Sequence, residues 1–513
     1  MKKRLISLGV IIILAALIIV VALLNIPMKE KKVKEETTED PIIESVYEND
    51  SIYLWYTDDT LTNYINGATV AYNEEHGTRI VPVLQSPTDY LENLNNTMNE
   101  YSKPDMFIIS NDALGKVYLS GLGDEITLDE STFESSYLSQ AKNAMSYKDK
   151  IIGYPLNFET TVLLYNRSYL RDMAITAINR EKAENTDNSE TSDTTVSAAN
   201  TDVNSGENDV NSNDDPAYEE AIINNKILEI IPETIEDIKS IADNYDAPEN
   251  VENFFVWDVN DIFYNYFFIG DAINVGGDSG WAKEKVDIYT EEAITAMKAY
   301  QSLNQFFSID ASETDYNHVI ADFIEGKTVF TIATSDVVTT LENAKEDGTF
   351  LYDYGVALVP AMSETLDTRS MSETNAVVIS PYANEHSKVA NDFAYFMTTA
   401  YVPDLYTKSG KVSAARYVDY EYDAFYVFAS EYEYSTPLPK MVETSNFWID
   451  LERTFLEVWN GEDANEELKK LAEQILLQIK GEKVDLEYIT IEDESEEIEY
   501  LDEEEYTKEA QNE

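Results

Sequence analysis

The stretch Ile151–Asn166 reads IIGYPLNFETTVLLYN, and the fold turns on how it is read. Ile151, Ile152 and Tyr154 form one short apolar run, and Val162, Leu163, Leu164 and Tyr165 form another. Runs this short, rich in β-branched and aromatic residues, are the pattern of buried strands. Pro155 fixes its own φ and has no N–H, so the first strand is expected to stop near it. Glu159 stands between the runs, where a carboxylate is costly unless it is paired or opens onto a cleft. Two readings are open. Either Glu159 lies on the wet face of an ordinary sheet edge, or the chain crosses here from one packed unit to another with Glu159 at the crossing.

Upstream, Ser51–Tyr56 has the composition of a strand, and Asp58, Asp59 or Thr60 is placed to cap the next helix. Leu61–Glu75 repeats apolar residues at helical spacing and meets a stop at Gly77. Ile80–Leu84 reads as a strand, Tyr90–Met98 as a helix, and Met106–Ile109 as a third strand behind Pro104-Asp105. Strand and helix in alternation predict a parallel sheet with both faces covered. Ligands of such sheets bind beyond the carboxyl ends of the strands. Asp58, Asp59, Ser110, Asn111 and Asp112 stand at those ends, where helix capping is the alternative role for each.

The 513 residues are enough for several domains. The chain carries 98 Asp and Glu against 36 Lys and Arg, a formal net charge of −62. No basic footprint for nucleic acid is present. With no cysteine, disulfides, thiolate metal sites, cysteine nucleophiles and a lipidated N-terminal cysteine are excluded. His76, His318 and His386 share no metal-binding motif, and no cofactor is expected.

Met1–Arg4 is basic, and Leu5–Pro27 is uncharged and almost wholly aliphatic. At about 1.5 Å per helical residue it spans a hydrocarbon core of about 30 Å. Ala22-Leu23-Leu24 is a poor cleavage site, so residues 1–27 are read as a retained transmembrane signal anchor. Lysines stand on both sides, so charge does not orient it; the short head and long remainder point to an exported, extracellular folded part. Residues 28–50 read as a tether. About 183–216, built from Asn, Asp, Ser, Thr and Glu, reads as a disordered acidic insert, and 482–513 as an acidic tail too charged to pack.

Several runs together resemble a known family: Ile52–Tyr56, Pro104–Ile109, Tyr118–Thr127, Lys150–Pro155 followed by Leu164–Asn166, Pro232–Asp237, Phe323–Phe330 and Ala390–Met397. In this order and spacing they are similar to the extracellular solute-binding proteins of ABC importers, of the maltose-binding type. The resemblance implies a two-lobed α/β fold, each lobe a mainly parallel sheet with flanking helices, closing on a ligand. Residues 51–157 with 359–407 would form one lobe, and 158–357 with 408–481 the other. Glu159 then falls at the first crossing.

The same resemblance implies a membrane-tethered binder of a small solute, a sugar or oligosaccharide, that hands it to permease subunits. A sensor subunit and a binder of a cationic solute are the alternatives. The expected ligand contacts are Asp58, Asp59, Asp112 and Glu159 from one side, with Asn260, Phe263, Asp336 and Trp448 from the other. Aromatic faces would stack on sugar rings while carboxylates accept hydroxyl protons. Ile109 and Asp336 stand where the family has stacking tryptophans, while Trp448 keeps one. Much of the aromatic run Phe254–Ile269 is also expected to be core. As an enzyme, the chain would need a carboxylate pair such as Glu159 and Asp336 for glycoside hydrolysis, and no motif supports one.

Overall fold

The computed structural model describes residues 50–98, 103–189 and 216–491. The expected signal anchor and tether, most of the acidic insert and the end of the tail lie outside the described residues. Among those described, no helix is long and apolar enough to cross a membrane.

The strand–helix alternation of residues 52–110 forms as its spacing predicts. Strand Ile52–Tyr56 is buried along its length and pairs in parallel with Ile80–Leu84 on one side and Met106–Ser110 on the other. Between the first two, helix Thr62–His76 buries Tyr64, Ile65, Ala68 and Tyr72 along one stripe. It ends at Gly77, whose φ of 65° is a left-handed cap that glycine takes without strain.

From there the chain builds two sheets. The larger, seven-stranded one runs in the order Val412–Ser413, Gly153–Thr160, Met371–Ile379, Met106–Ser110, Ile52–Tyr56, Ile80–Leu84, with Thr436–Pro437 added on Met371–Ile379. The smaller runs Tyr354–Ala357, Val162–Asn166, Thr328–Ala333, Asn253–Phe255. Only Thr161 separates the strand Gly153–Thr160 of the first from the strand Val162–Asn166 of the second. We call Gly153–Thr160 the outgoing strand and Met371–Ile379 the return strand.

Both sheets are mixed, which corrects the expectation of mainly parallel ones. The return strand lies antiparallel to both the outgoing strand and Met106–Ser110. In the smaller sheet Val162–Asn166 lies antiparallel to both its neighbours. A chain that leaves one sheet, enters the next and comes back must reverse direction, and these antiparallel pairs record the crossing.

Pro155 does not stop the outgoing strand, as its chemistry had suggested. The strand continues to Thr160 because its partner shifts register between Asn375 and Ala376, opposite Pro155. A bulge is one of the few places where a sheet tolerates a residue without an N–H. The chain is helical into the start of the expected insert, over Arg167–Ser189, and a second helix begins at Pro216. The start of the tail packs, against expectation. Leu486, Ile489 and Ile491 lie on the second core, and the Ile489 carbonyl accepts from Asn465 Nδ2 at 2.7 Å. These three apolar residues supply surface to bury within an otherwise acidic run.

That second core is aromatic. Trp257 is fully buried, stacks on Phe255 at 4.8 Å and meets Trp459 edge-on at 5.5 Å. Its indole N–H donates to Asn265 Oδ1 at 2.9 Å. Each fully buried aromatic of this kind contributes about 2–3 kcal/mol.

Candidate functional site

Side chains alternate along a strand. On the outgoing strand beyond the bulge this puts Asn157 and Glu159 on one face, and Phe158 and Thr160 on the other. The second face is sealed: Phe158 stacks on Tyr432 of helix Ala424–Tyr434 at 4.1 Å. The first face is polar across several strands. Glu373 of the return strand lies directly opposite Glu159, and Asn375 opposite Asn157. On the far side Ser413 is opposite Asn157, which brings Lys411 beside the row of Glu159. Asn375 in turn is opposite Ser110, near the carboxyl end of Met106–Ser110.

The second lobe's sheet meets this face through Glu159. Its Oε1 accepts from the Ser335 backbone N–H at 2.9 Å and its Oε2 from the Ser335 hydroxyl at 2.8 Å. Ser335 follows the strand Thr328–Ala333 and precedes helix Asp336–Glu346, so a carboxylate of the larger sheet is held at a helix start of the smaller. Burial pushes the Glu159 carboxyl up to about 7. The Ser335 bonds and Lys411 oppose that rise, and the charge of Asp336 adds to it. Burial also raises Glu373; Ser110 and Lys411 oppose it, while Asp112 and Asp58 add to it.

Lys411 is the cation both glutamates feel, and its Nζ is 3.2 Å from Asp58 Oδ2. Burial acts to raise the Asp58 carboxyl, but two bonds from Thr60 and the charge of Lys411 win and hold it low. A cavity of about 150 Å³ reaches Lys411 and Ser413, with Tyr406, Tyr420 and Phe425 among its walls. Tyr264 stacks on Tyr316 at 4.7 Å and 21°. The Tyr316 hydroxyl donates to Asp336 Oδ1 at 3.1 Å, and the Thr334 hydroxyl donates to the same oxygen at 2.5 Å. The hydroxyls of Thr339 and Tyr406 also meet; one lies on helix Asp336–Glu346, the other on the short helix Leu405–Ser409.

Of the eight residues expected at the site, the structure brings together Asp58, Asp112, Glu159 and Asp336. Asp59 is exposed in the turn Asp59–Leu61 that Asp58 caps. Asn260 spends its amide on the carbonyls of Ala311 and Thr314, at 2.8 and 2.7 Å. Phe263 is half-buried, edge-on to Tyr264 at 6.2 Å. Trp448 is half-buried in the first turn of helix Phe447–Trp459, edge-on to Tyr266 at 5.7 Å. Sequence reasoning missed Glu373, Lys411 and Ser335. The alternation in Met371–Ile379, with Glu373 and Asn375 on one side of a strand otherwise mostly apolar, was the signal for the first.

Two larger cavities, of about 510 and 590 Å³, share Asp271, Arg369 and Tyr434, and none of the eight expected residues lines either. Among the described residues no group of three His, Asp or Glu side chains is arranged to hold a metal ion.

The family described as bacterial extracellular solute-binding protein matches residues 67–402. The chain belongs to that family. This solute-binding protein has no match among curated proteins. Among solved structures it is similar to an extracellular solute-binding protein from Staphylococcus aureus in complex with maltose. That pair is 18% identical with a TM-score of 0.64, over 84% of this chain and 98% of the other. A cyclo/maltodextrin-binding protein complexed with maltotetraose is 16% identical with a TM-score of 0.64, over 85% and 99%. The maltose-binding protein MalE from Listeria monocytogenes, in complex with maltose, is 15% identical with a TM-score of 0.60, over 85% and 100%. At such identity the likeness is one of fold: two α/β lobes, as the solute-binding protein's two sheets already display.

Proposed function

We propose that this solute-binding protein captures a small solute, a sugar or oligosaccharide in the first instance, in a cleft between the two sheets and delivers it to the permease of an ABC importer. The carrying observation is the Glu159 carboxylate, which belongs to the larger sheet yet is held by Ser335 of the smaller. A residue shared in this way reports whether the lobes are together, and a solute bound beside it favours the closed arrangement. The solute-binding contacts are Asp58, Asp112, Glu159 and Asp336 from the expected set, joined by Glu373, Lys411 and the Tyr264–Tyr316 pair. Trp448 is retained in this reading as a wall contributed by the second lobe. We take the lobes as 51–160 with 359–407, 412–413 and 436–437, and 161–357 with the rest of 408–481, so that each strand goes with the sheet in which it pairs. The folded part lies outside the cell, anchored by residues 1–27.

The maltose and maltotetraose bound by the structural relatives support a saccharide, as does the mixture of carboxylates and tyrosines. Nothing in the arrangement asks for turnover: the Glu159 oxygens both accept from Ser335, and the chain is read as a binder. The test is a titration of the full-length chain with maltotetraose and other oligosaccharides, followed by calorimetry and small-angle scattering. Saturable binding with a fall in radius of gyration and no product supports capture. Release of a shorter sugar overturns it.

A further inference from the structure

The polar face around Glu159 holds more carboxylates than cations. Glu159 and Glu373 are direct neighbours across an antiparallel pair, where Cβ atoms stand about 4.5–5.5 Å apart and like charges destabilise the sheet. Asp112 and Asp58 add negative charge beside Glu373, and Asp336 beside Glu159. The one cation that both glutamates feel, Lys411, is engaged with Asp58 at 3.2 Å.

A separate observation points the same way. Asn157 is 2% exposed, and its Oδ1 has no hydrogen-bond partner. It stands two residues before Glu159 on the same strand, so its side chain is on the same face. A buried acceptor left unmatched keeps the full cost of its lost hydration, and here it lies on the face where two carboxylates stand opposite each other. A sugar hydroxyl brings one donor and two acceptor lone pairs, which meets such a face poorly. An ammonium brings three donors, no acceptor and the missing positive charge.

We propose that the solute group lodged against Glu159 and Glu373 is an ammonium, so that the carried solute bears a primary amine, as an aminosugar or a polyamine does. This rests on the capture reading above and names the chemistry of its deepest contact. The stacked Tyr264–Tyr316 pair borders the same place and suits a cation or a ring equally.

The test is calorimetry on the full-length chain with four probes: the glucosamine trisaccharide, its N-acetylated counterpart, maltotetraose and spermidine. The amines are expected to bind at least tenfold tighter than the two neutral sugars, and to weaken with added salt. Tighter binding of the glucosamine trisaccharide marks an aminosugar, and tighter binding of spermidine marks a polyamine. Glu373→Gln is expected to lower amine affinity at least tenfold while raising the melting temperature of the empty protein, because it removes one of two facing charges. Asp112→Asn, at a partly exposed position, is expected to move affinity in the same direction and serves if Glu373→Gln does not fold. A neutral sugar bound as tightly as the amines overturns the ammonium and leaves capture standing. So does amine affinity that neither substitution changes. A folded chain that binds none of the four overturns both.

Discussion

Two glutamates in this protein sit near the junction of its sheets, and burial pushes both up to about 7. Glu431 is sealed at 3% exposure. One of its oxygens accepts from the Ser370 hydroxyl and the other from the Val359 N–H at 3.1 Å, so it fastens the segment that leads back to the return strand. Glu159 is partly exposed, faces a second glutamate, and is tied to the opposite lobe through Ser335. A shifted carboxyl therefore does not mark a binding site by itself. What separates the two is that Glu431 only ties its own segment together, while Glu159 joins the two sheets and faces a second carboxylate.

The sharpest way to break this contrast is to remove each group. Glu431→Ala strands the Val359 N–H and the Ser370 hydroxyl in a buried place, at about 2–3 kcal/mol of stability. Chemical denaturation should show that loss, and solute affinity in the folded fraction should be unchanged. Glu159→Ala also strands a buried N–H and hydroxyl, those of Ser335, but should in addition lower affinity for a bound solute tenfold or more, by calorimetry. Asn260→Ala sharpens the line between expected and observed contacts. Its amide holds the Ala311–Thr314 loop, so the substitution should cost about 1–2 kcal/mol with affinity unaltered.

The pH profile follows from the same shifts. For Glu159 and Glu431 the folded value of about 7 lies above the ordinary 4.5, so the folded state binds more protons between those limits. Their contribution is fully present below pH 4.5 and is lost as pH rises to about 7. Lys440 is fully buried, donates to the carbonyls of Asn143 and Ser279, and is pulled down to about 7 from 10.5 by burial. Its contribution has the opposite slope: present above 10.5 and lost as pH falls to about 7. Melting temperature against pH should fall between 4.5 and 7 in the empty protein and recover above 7. Glu431→Gln and Glu159→Gln should each flatten the first limb. The smallest effect is Glu159→Gln at neutral pH, which relieves the facing charge of Glu373 and should stabilise the empty protein by roughly 0.2–1 kcal/mol.

The elements of the first lobe were legible because each is local: the strand Ile52–Tyr56, the stripe on Thr62–His76 and the stop at Gly77 are all written in neighbouring residues. Around Glu159 the run Val162–Tyr165 was legible as a strand, but its own stretch left the crossing open, and the resemblance supplied it. Pro155 misled because its bulge, which leaves Leu156 without a cross-strand partner in the return strand, forms only against Asn375 and Ala376, more than two hundred positions later. Glu373 and Lys411 were missed for the same reason: nothing near either one says that it will lie beside Glu159. The start of the tail packs through three apolar residues that its acidic composition hides. Asn260 was misread because its partners, two backbone carbonyls, have no signature in sequence.

If the solute lies on the face shared by Glu159 and Glu373, binding must quieten the backbone on both sides of that face. Hydrogen–deuterium exchange on the full-length chain, with and without saturating maltotetraose and then glucosamine trisaccharide, reads this out segment by segment. A bound probe should protect the outgoing strand, the return strand and the start of helix Asp336–Glu346 together. Protection confined to the segments around Asp271, Arg369 and Tyr434, with the two strands and that helix start unchanged, would contradict it.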